Sequence, residues 1–370
     1  MATLTNKEGT VKYPFRNLVF ESGGVKGIAY LGALEVLTDK DIIRGIQRVG
    51  GTSAGAVHAL VLGLGFNLDE TRHIFWTFDY NCFLDDSGGI FRDTDRLLER
   101  FGWFRGNFFR NWAAELIKEK TGNPEATFAD LEAMKSRRGF KSLSFIGTNL
   151  SSACSEIFSV DHTPGTCVAD AVRIAMTIPL FFAARRSTRG DIYVDGGLLT
   201  NHPVRMFDRE KYIDREPDLT TDSYRKIYAR MKKSKPKAST CVCNPETLGF
   251  RLAPRETMPL FQDQSAPPRR RINDFFDYSW ALVQTILEMQ HNAHLPDEDW
   301  ARTVFIDSLG VGTAGADLSE REKRALIQSG REGVLTYLDW YDNRGDQTPA
   351  SNRPYPDMIG EKIAGFAGRN

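Results

Sequence analysis

The residues Gly51-Thr52-Ser53-Ala54-Gly55 form a G-x-S-x-G sequence, a pattern in which a serine hydroxyl acts as a nucleophile. A strand pattern at residues 46–49 precedes it, and apolar residues at helical spacing follow it. A serine on such a strand-to-helix turn lies on a tight corner, beside the free N–H groups of the new helix. The flanking glycines leave room for the neighbouring strand and helix. The alternative is a tight turn whose serine only caps the helix.

A second glycine-rich turn, Ser22-Gly23-Gly24-Val25-Lys26-Gly27, lies between a strand pattern at 17–20 and a helical pattern from Ile28. This arrangement directs several backbone N–H groups at one anion. The glycine spacing differs from G-x-G-x-x-G, and Lys26 is not followed by Ser or Thr as in a Walker A loop. An oxyanion hole requires only N–H donors beside the nucleophile. The sequence therefore favours an oxyanion hole, with a purely structural turn as the alternative.

A third turn, Asp195-Gly196-Gly197, follows a strand pattern that ends in Tyr193-Val194. In a doubly wound sheet the carboxyl ends of the strands line one crevice, so Asp195 can meet Ser53 despite their separation in sequence. Asp-Gly-Gly also occurs in ordinary turns. Together with the other two turns, it indicates that Asp195 is a general base.

A histidine is the alternative general base for Ser53. The chain has six histidines, and in the Ser–acid–His order of α/β hydrolases only three follow Asp195. Two of these, His291 and His294, lie in or beside a helical pattern and are expected to be surface or capping residues, whereas His202 stays a candidate. His58, one turn beyond Ser53, is expected to be packed or solvated. The sequence favours a Ser53–Asp195 dyad without an imidazole.

The three motifs and their order resemble the patatin-like phospholipases. Residues 171–182 and 197–204 are also similar to that family, and 244–249 resemble its bacterial members. The likeness covers residues 15–255. One departure is Ser22, which stands where the family usually has the first glycine of its turn; serine adopts a positive φ only at a cost.

The resemblance implies a lipid acyl hydrolase, a serine esterase of the phospholipase A or lysophospholipase type, that needs no cofactor or metal. Ser53 would attack the ester carbonyl and Asp195 would accept its proton. Water would then release the fatty acid from the acyl-serine. The N–H groups of Gly23, Gly24 and Ala54 would bind the oxyanion, and Lys26 would brace the loop or add positive charge. The residues expected to support this site are Gly27, Gly51, Gly55, Gly196 and Gly197.

Two alternative functions use the same motifs. An acyltransferase with the same serine turn normally recruits a histidine base, which the sequence does not place. A catalytically impaired lipid-binding module is the alternative outside the enzymes, and Ser22 is the reason to consider it.

The fold implied by the family is a three-layer α/β/α sandwich with a mainly parallel central sheet and helical insertions. Residues 1–14 are expected to be flexible, 15–310 to form the core, and 311–370 to form a helical segment and tail packed on it. Within the core we expect an aromatic-rich insertion at about 70–135 and charged excursions at about 205–272. Further elements are predicted as strands at 142–147, 156–160 and 303–306, and as helices at 274–289 and 319–338.

The insertion carries many large rings, concentrated at residues 101–109. Much of it is expected to be helix core. The alternative for 101–109 is a lid over the acyl channel or a wedge into a membrane interface.

Composition restricts the partners. The formal net charge is zero, so no global field attracts nucleic acid, and no nucleic-acid partner is expected. The basic clusters at 232–237 and 269–271 are solvated loops or contacts to anionic headgroups. The expected partner is a phospholipid or lysophospholipid, with transient contact to a membrane surface; a protein or small-molecule activator stays open.

Hydrophobic stretches, targeting signals and cysteines bear on localisation. No stretch has the ~20 apolar residues of a spanning helix, and no conventional signal peptide is recognised. The five cysteines show no C-x-x-C pair, which favours reduced thiols. We expect a cytoplasmic protein with peripheral membrane contact; the alternative is secretion by a non-classical route into a host or target cell.

Overall fold

The computed structural model describes residues 13–78, 97, 99–213, 242–253, 272–291, 295–311 and 318–343. Elements are numbered along the chain within these ranges. The strands are β1 (Asn17–Phe20), β2 (Arg48–Gly51), β3 (Gly102–Phe104), β4 (Ser142–Asn149), β5 (Cys154–Ser159), β6 (Leu180–Phe182), β7 (Arg185–Arg186), β8 (Ile192–Asp195), β9 (Thr247–Ala253) and β10 (Thr303–Asp307). The helices are α1 (Ala29–Asp39), α2 (Ala54–Gly63), α3 (Leu68–Trp76), α4 (Asn107–Thr121), α5 (Phe128–Arg138), α6 (Val168–Ala175), α7 (Phe275–His291), α8 (Asp297–Trp300) and α9 (Glu320–Asn343).

The central sheet is mainly parallel. Its order is β10-β9-β1-β2-β4-β8-β7, with β5 also paired to β4. The five strands from β10 to β4 run parallel, whereas β5, β7 and β8 pair antiparallel. β3 and β6 form a separate parallel pair. The predicted α/β class is confirmed, and the strand predicted at 17–20 matches β1.

The side chains of β1 show how the two faces of the sheet are filled. Leu18 and Phe20 enter the main core, in which α1 and α2 pack, while Val19 points to a smaller cluster on the other face because side chains alternate along a strand. That smaller cluster contains Ile146, Met206, Phe207 and Tyr212. Residues 205–212 were predicted to begin a charged surface excursion; they instead cover the sheet. Residues 214–241 and 254–271, with both basic clusters, lie outside the described residues.

The C-terminal helix α9 packs closely on α1. A Cβ atom added at Gly32 of α1 would lie 1.8 Å from the carbonyl oxygen of Ile327, and one at Gly330 would lie 1.9 Å from that of Ala29. The two backbones therefore touch where both helices lack side chains. Near the end of α9, Tyr13 Oη donates to Asp342 at 2.7 Å.

The end of β2 and the end of β8 meet along β4. Residues 142–145 of β4 pair with β2, and residues 147–149 pair with β8. Because β5 pairs with β4 across residues 144–149, it occupies the other edge, and β2 and β8 share one edge. β8 runs antiparallel to β4, so its carboxyl end points at the carboxyl end of β2. The carboxyl ends of the strands were expected to line one crevice; here β8 runs against β2, and the turns of Ser53 and Asp195 meet end to end.

Within the described ranges, every helix is too short or too polar to cross a membrane.

Cys154, Cys167 and Cys243 are free thiols, whereas Cys82 and Cys241 lie outside the described residues.

Candidate active site

Ser53 lies on a strained corner between β2 and α2. Its backbone has φ 52° and ψ −129°, a region that costs a residue other than glycine about 1–3 kcal/mol. A Cβ atom at Gly51 would lie 2.4 Å from the backbone carbon of Gly55, and one at Gly55 would lie 2.3 Å from the carbonyl oxygen of Phe20. Only glycines fit at both positions. The Ser53 side chain forms no cap to α2, which argues against the capping alternative.

Asp195 ends β8 and is buried. Its carboxylate accepts a hydrogen bond from the hydroxyl of Ser53 and another from the N–H of Gly197 at 2.7 Å. Burial raises the pKa of Asp195 to about 7, and the two hydrogen bonds oppose that rise. The carboxylate is therefore a stronger base than one in water. Gly196 packs against Thr52, where an added Cβ atom would lie 2.5 Å from Oγ1.

The glycine-rich turn lies beside these two residues. It enters a short 3₁₀ turn at Gly24–Ile28, with Gly23 as its N-cap. Gly24 has φ 54°, whereas Ser22 is not among the residues with a positive φ. Serine therefore carries no backbone strain at the position where the family usually has glycine. The N–H of Ser22 donates to the carbonyl of Asn201 at 3.2 Å.

The sequence predicted three backbone donors for the oxyanion hole. Gly24 is the first residue of the 3₁₀ turn and Ala54 the first of α2. Because the first N–H groups of a helix have no acceptor within it, those of Gly24 and Ala54 are available to a ligand. Gly24 and Ser53 line the same pocket. Gly23 packs against Leu252, where a Cβ atom would lie 2.2 Å from Cδ1.

Two ionisable side chains are buried at the glycine-rich turn: Glu21 directly before it and Lys26 within it. Glu21 accepts hydrogen bonds from the N–H of Leu252 at 2.8 Å and from Asn201 Nδ2 at 3.0 Å, and Arg251 Nε lies 3.7 Å from it. Burial raises the pKa of Glu21 to about 7, and the charges of Arg251 and Lys26 oppose that rise. The charge of Lys26 therefore acts on Glu21, and its role at the turn stays a prediction.

One small pocket contains the serine and the acid. It has a volume of about 50 Å³, which is room for a few water molecules. Its lining is largely apolar, and in the described part of the chain it includes no histidine. The lining residues are Ser22, Gly24, Ser53, Ile178, Pro179, Asp195, Leu198, Trp280, Val283 and Leu287.

Helix α7 supplies one wall of this pocket, a position that the sequence does not predict. Trp280, Val283 and Leu287 face the pocket, and Trp280 packs edge-on against Phe181 at 5.2 Å between ring centroids. Gln290 fastens the helix to the turn after Asp195. Its Nε2 donates to the carbonyls of Gly197 and Leu198, and its Oε1 accepts from the N–H of Asn201 at 2.9 Å.

The histidines considered as bases face other groups. His58 is buried; its ring stacks on Phe75 with 3.8 Å between centroids, and Nδ1 contacts the carbonyl of Ala54 at 2.9 Å. Burial lowers the pKa of His58 to about 4, and Gly27 packs beside it. His202 Nε2 contacts Thr303 Oγ1 at 3.1 Å. His294 lies outside the described residues.

The aromatic segment at 101–109 was predicted as core, lid or wedge. Phe109 is buried and packs against Phe182 at 5.7 Å between centroids. Phe101 and Phe108 are exposed. This segment does not line the pocket, whose wall comes from α7. Residues 79–96 and 98 of the insertion lie outside the described residues.

Comparison with known proteins places these motifs in a family. Residues 18–208 match the family model described as Patatin-like phospholipase. An uncharacterized protein of Acanthamoeba polyphaga mimivirus is 30% identical over 321 residues, which are 86% of this chain and 92% of that protein. A protein of Invertebrate iridescent virus 6 described as a probable lipid hydrolase is 22% identical over 200 residues, 51% of this chain and 62% of its own.

A solved structure shows the same fold. VipD from Legionella pneumophila superimposes with a TM-score of 0.61 at 16% sequence identity, covering 91% of this chain and 70% of VipD. At this identity the likeness concerns the fold alone. It agrees with the resemblance inferred from the three motifs, which the family match confirms.

Proposed function

The chain belongs to the patatin-like phospholipase family, and from this premise we propose that it cleaves fatty-acyl esters of phospholipids or lysophospholipids through Ser53 and Asp195. Family membership supports lipid hydrolase activity in general. The observation that carries the finer proposal is that Ser53 and the buried Asp195 line the same pocket, where the serine hydroxyl lowers the pKa of the carboxyl group. A nucleophile and a base thus lie inside one apolar pocket.

The first step forms an acyl-serine. Asp195 takes the proton from the Ser53 hydroxyl as its oxygen attacks the ester carbonyl, because a free hydroxyl is a weak nucleophile until a base accepts its proton. The burial that raises the pKa of Asp195 to about 7 makes this transfer more favourable. Asp195 then gives the proton to the leaving alcohol. The strained turn holds the serine in position before substrate arrives.

The negative charge that develops on the carbonyl oxygen needs donors. The N–H groups of Gly24 and Ala54 begin their helical turns beside Ser53, and Gly23 precedes them. We assign these three groups to the oxyanion hole. Each such donor typically contributes about 2.7–4 kcal/mol to catalysis.

The second step is hydrolysis. Water, activated by Asp195, attacks the acyl-serine and releases the fatty acid. The apolar lining formed by Ile178, Leu198 and Leu287 suits an acyl chain rather than a polar group.

Release of fatty acid from phosphatidylcholine and lysophosphatidylcholine tests this proposal. We expect Ser53→Ala and Asp195→Asn to abolish release, while Asp191→Asn, which removes a carboxylate four residues earlier, retains it. Transfer of the acyl group to an alcohol instead of water would identify an acyltransferase. Lipid binding without turnover by the unaltered chain would identify a binding module. Full activity of Asp195→Asn together with inactive His202→Ala would reject the dyad.

A further inference from the structure

Helix α7 is apolar on two opposite sides. Its inner side lines the pocket, as described above. Its outer side presents a stripe at helical spacing, which we call the outer α7 face: Phe275, Tyr278, Leu282, Thr285 and Met289. The four large side chains are 44%, 55%, 44% and 68% exposed, in that order. A helix on a protein surface normally turns charged or polar residues to the solvent.

The outer α7 face carries no charged side chain, so it is a candidate contact surface. Leu199, on the turn that follows Asp195, is a further large apolar side chain in the exposed class, at 46%. Gln290 binds that turn to α7. The exposed apolar residues therefore belong to two elements that also line the pocket, through Leu198 and Leu287.

We propose that the outer α7 face and Leu199 dock on the lipid surface that supplies the substrate, an inference that rests on the proposed lipid acyl hydrolase function. The argument for lipid over a protein partner is continuity. The same helix and the same turn enclose the serine and the acid, so a surface bound to the outer α7 face lies only one helix thickness from the pocket. For an acyl ester held in an aggregate, that surface is the aggregate itself.

The dimensions of an interfacial helix agree with this arrangement. Such a helix lies in the plane of the membrane, with its apolar face sunk about 5–10 Å into the boundary of headgroups and acyl chains. A helix with its side chains is about 10–12 Å thick. A docked α7 therefore holds its inner side, and the pocket behind it, at the level where lipid esters lie. Because the outer α7 face is uncharged, docking on zwitterionic lipid is expected to depend little on salt.

Vesicle flotation with catalytically inactive protein tests the docking separately from catalysis. The probe is a vesicle of pure phosphatidylcholine, and the parent protein is the full chain with Ser53→Ala. We expect the added pair Leu282→Glu and Met289→Glu to lower vesicle partitioning at least about tenfold, since two apolar side chains lose their burial. The matched control is Leu335→Glu on α9, because Leu335 is 47% exposed but lies on a helix that does not line the pocket; its partitioning should not change.

A gain-of-binding variant guards against a folding artefact. Thr285→Leu fills the polar gap in the outer α7 face and should raise partitioning several-fold. In the chain with Ser53 intact, the Leu282→Glu and Met289→Glu pair should keep hydrolysis of a soluble short-chain ester. Equal partitioning of the pair and the parent, an equal loss in Leu335→Glu, or no gain in Thr285→Leu would overturn the docking proposal. Normal docking by a chain that hydrolyses no ester would instead reject the proposed function.

Discussion

Asn201 and Glu21 are joined by a buried hydrogen bond, in which Asn201 Nδ2 donates to Glu21 Oε1 at 3.0 Å. Glu21 directly precedes the glycine-rich turn, and Asn201 follows the turn of Asp195. The carbonyl of Asn201 also accepts the N–H of Ser22. One residue thus links the turn that supplies the oxyanion donors to the turn that supplies the base.

Asn201→Ala is expected to weaken both turns. Glu21 loses one of its hydrogen-bond donors while it stays buried, which costs about 1–3 kcal/mol of unfolding free energy. We expect kcat to fall about tenfold because the oxyanion donors and Asp195 are no longer held at their relative positions. Urea unfolding and ester kinetics measure the two effects. Thr200→Ala, at the neighbouring position, should leave both values unchanged, and an unaltered kcat in Asn201→Ala would contradict the linkage.

The pH dependence of kcat/KM should follow Asp195. Only the ionised carboxylate accepts the Ser53 proton, and burial raises its pKa to about 7. We therefore expect kcat/KM to decline about tenfold per pH unit below about 7 and to level off above it. A profile measured from pH 5 to 9 on a soluble ester gives the midpoint. A midpoint near 4, the value of an ordinary aspartate, would contradict this assignment.

Asp195→Asn should be more stable than the parent at alkaline pH. A carboxyl group whose folded pKa lies above its unfolded pKa favours the folded state at low pH and loses that contribution as pH rises through the folded value. From an ordinary value of 3.8 to about 7, the loss is about 4 kcal/mol by pH 9. Urea unfolding at pH 5 and pH 9 compares the two proteins. An equal difference at both pH values would show that the burial of Asp195 does not strain the fold.

Ser53→Gly should be more stable than Ser53→Ala, although both are inactive. The backbone at residue 53 has a positive φ of 52°, which glycine adopts freely and alanine does not. We expect the glycine variant to exceed the alanine variant by about 1–2 kcal/mol in unfolding free energy. Chemical denaturation of the two proteins at one pH tests this. An alanine variant at least as stable would mean that the turn is unstrained.

His58→Asn should flatten the acid limb of the stability profile and spare catalysis. Burial lowers the pKa of His58 from 6.5 to about 4, so the unfolded chain binds a proton that the folded chain excludes. Stability is therefore lost as pH falls from 6.5 towards 4, by about 3 kcal/mol. Asparagine retains a donor near the carbonyl of Ala54 but does not titrate. A loss of activity beyond a few-fold would support a histidine as the general base instead.

Local patterns predicted the site because each part is contiguous in the chain. The strand-to-helix turn at Ser53 and the turn at Gly23 and Gly24 are recognisable from their glycines, which the backbone requires at those positions. Strand β1 was predicted in full from the residues Asn17-Leu18-Val19-Phe20 that precede the glycine-rich turn.

What sequence reasoning missed depends on contacts between distant segments. The hydrogen bond between Asn201 and Glu21 spans 180 residues, and no local spacing encodes it. The reversed direction of β8 was also missed, since a strand of four residues has no polarity signal. Helix α7 was predicted at 274–289 with near-correct bounds, but its position over the pocket was not. Apolar residues on both of its sides were the available signal.

β2 and β8 lie end to end along β4, so β4 sets the distance between the serine and the acid. Gly51 pairs with Phe145, and Asp195 pairs with Gly147, so a single residue, Ile146, separates the two registers. Each residue added there would slide the acid away by about 3.3 Å and turn it to the opposite side of the sheet. Insertions and deletions are thus forbidden in this short stretch during divergence, even where the identities of its amino acids drift.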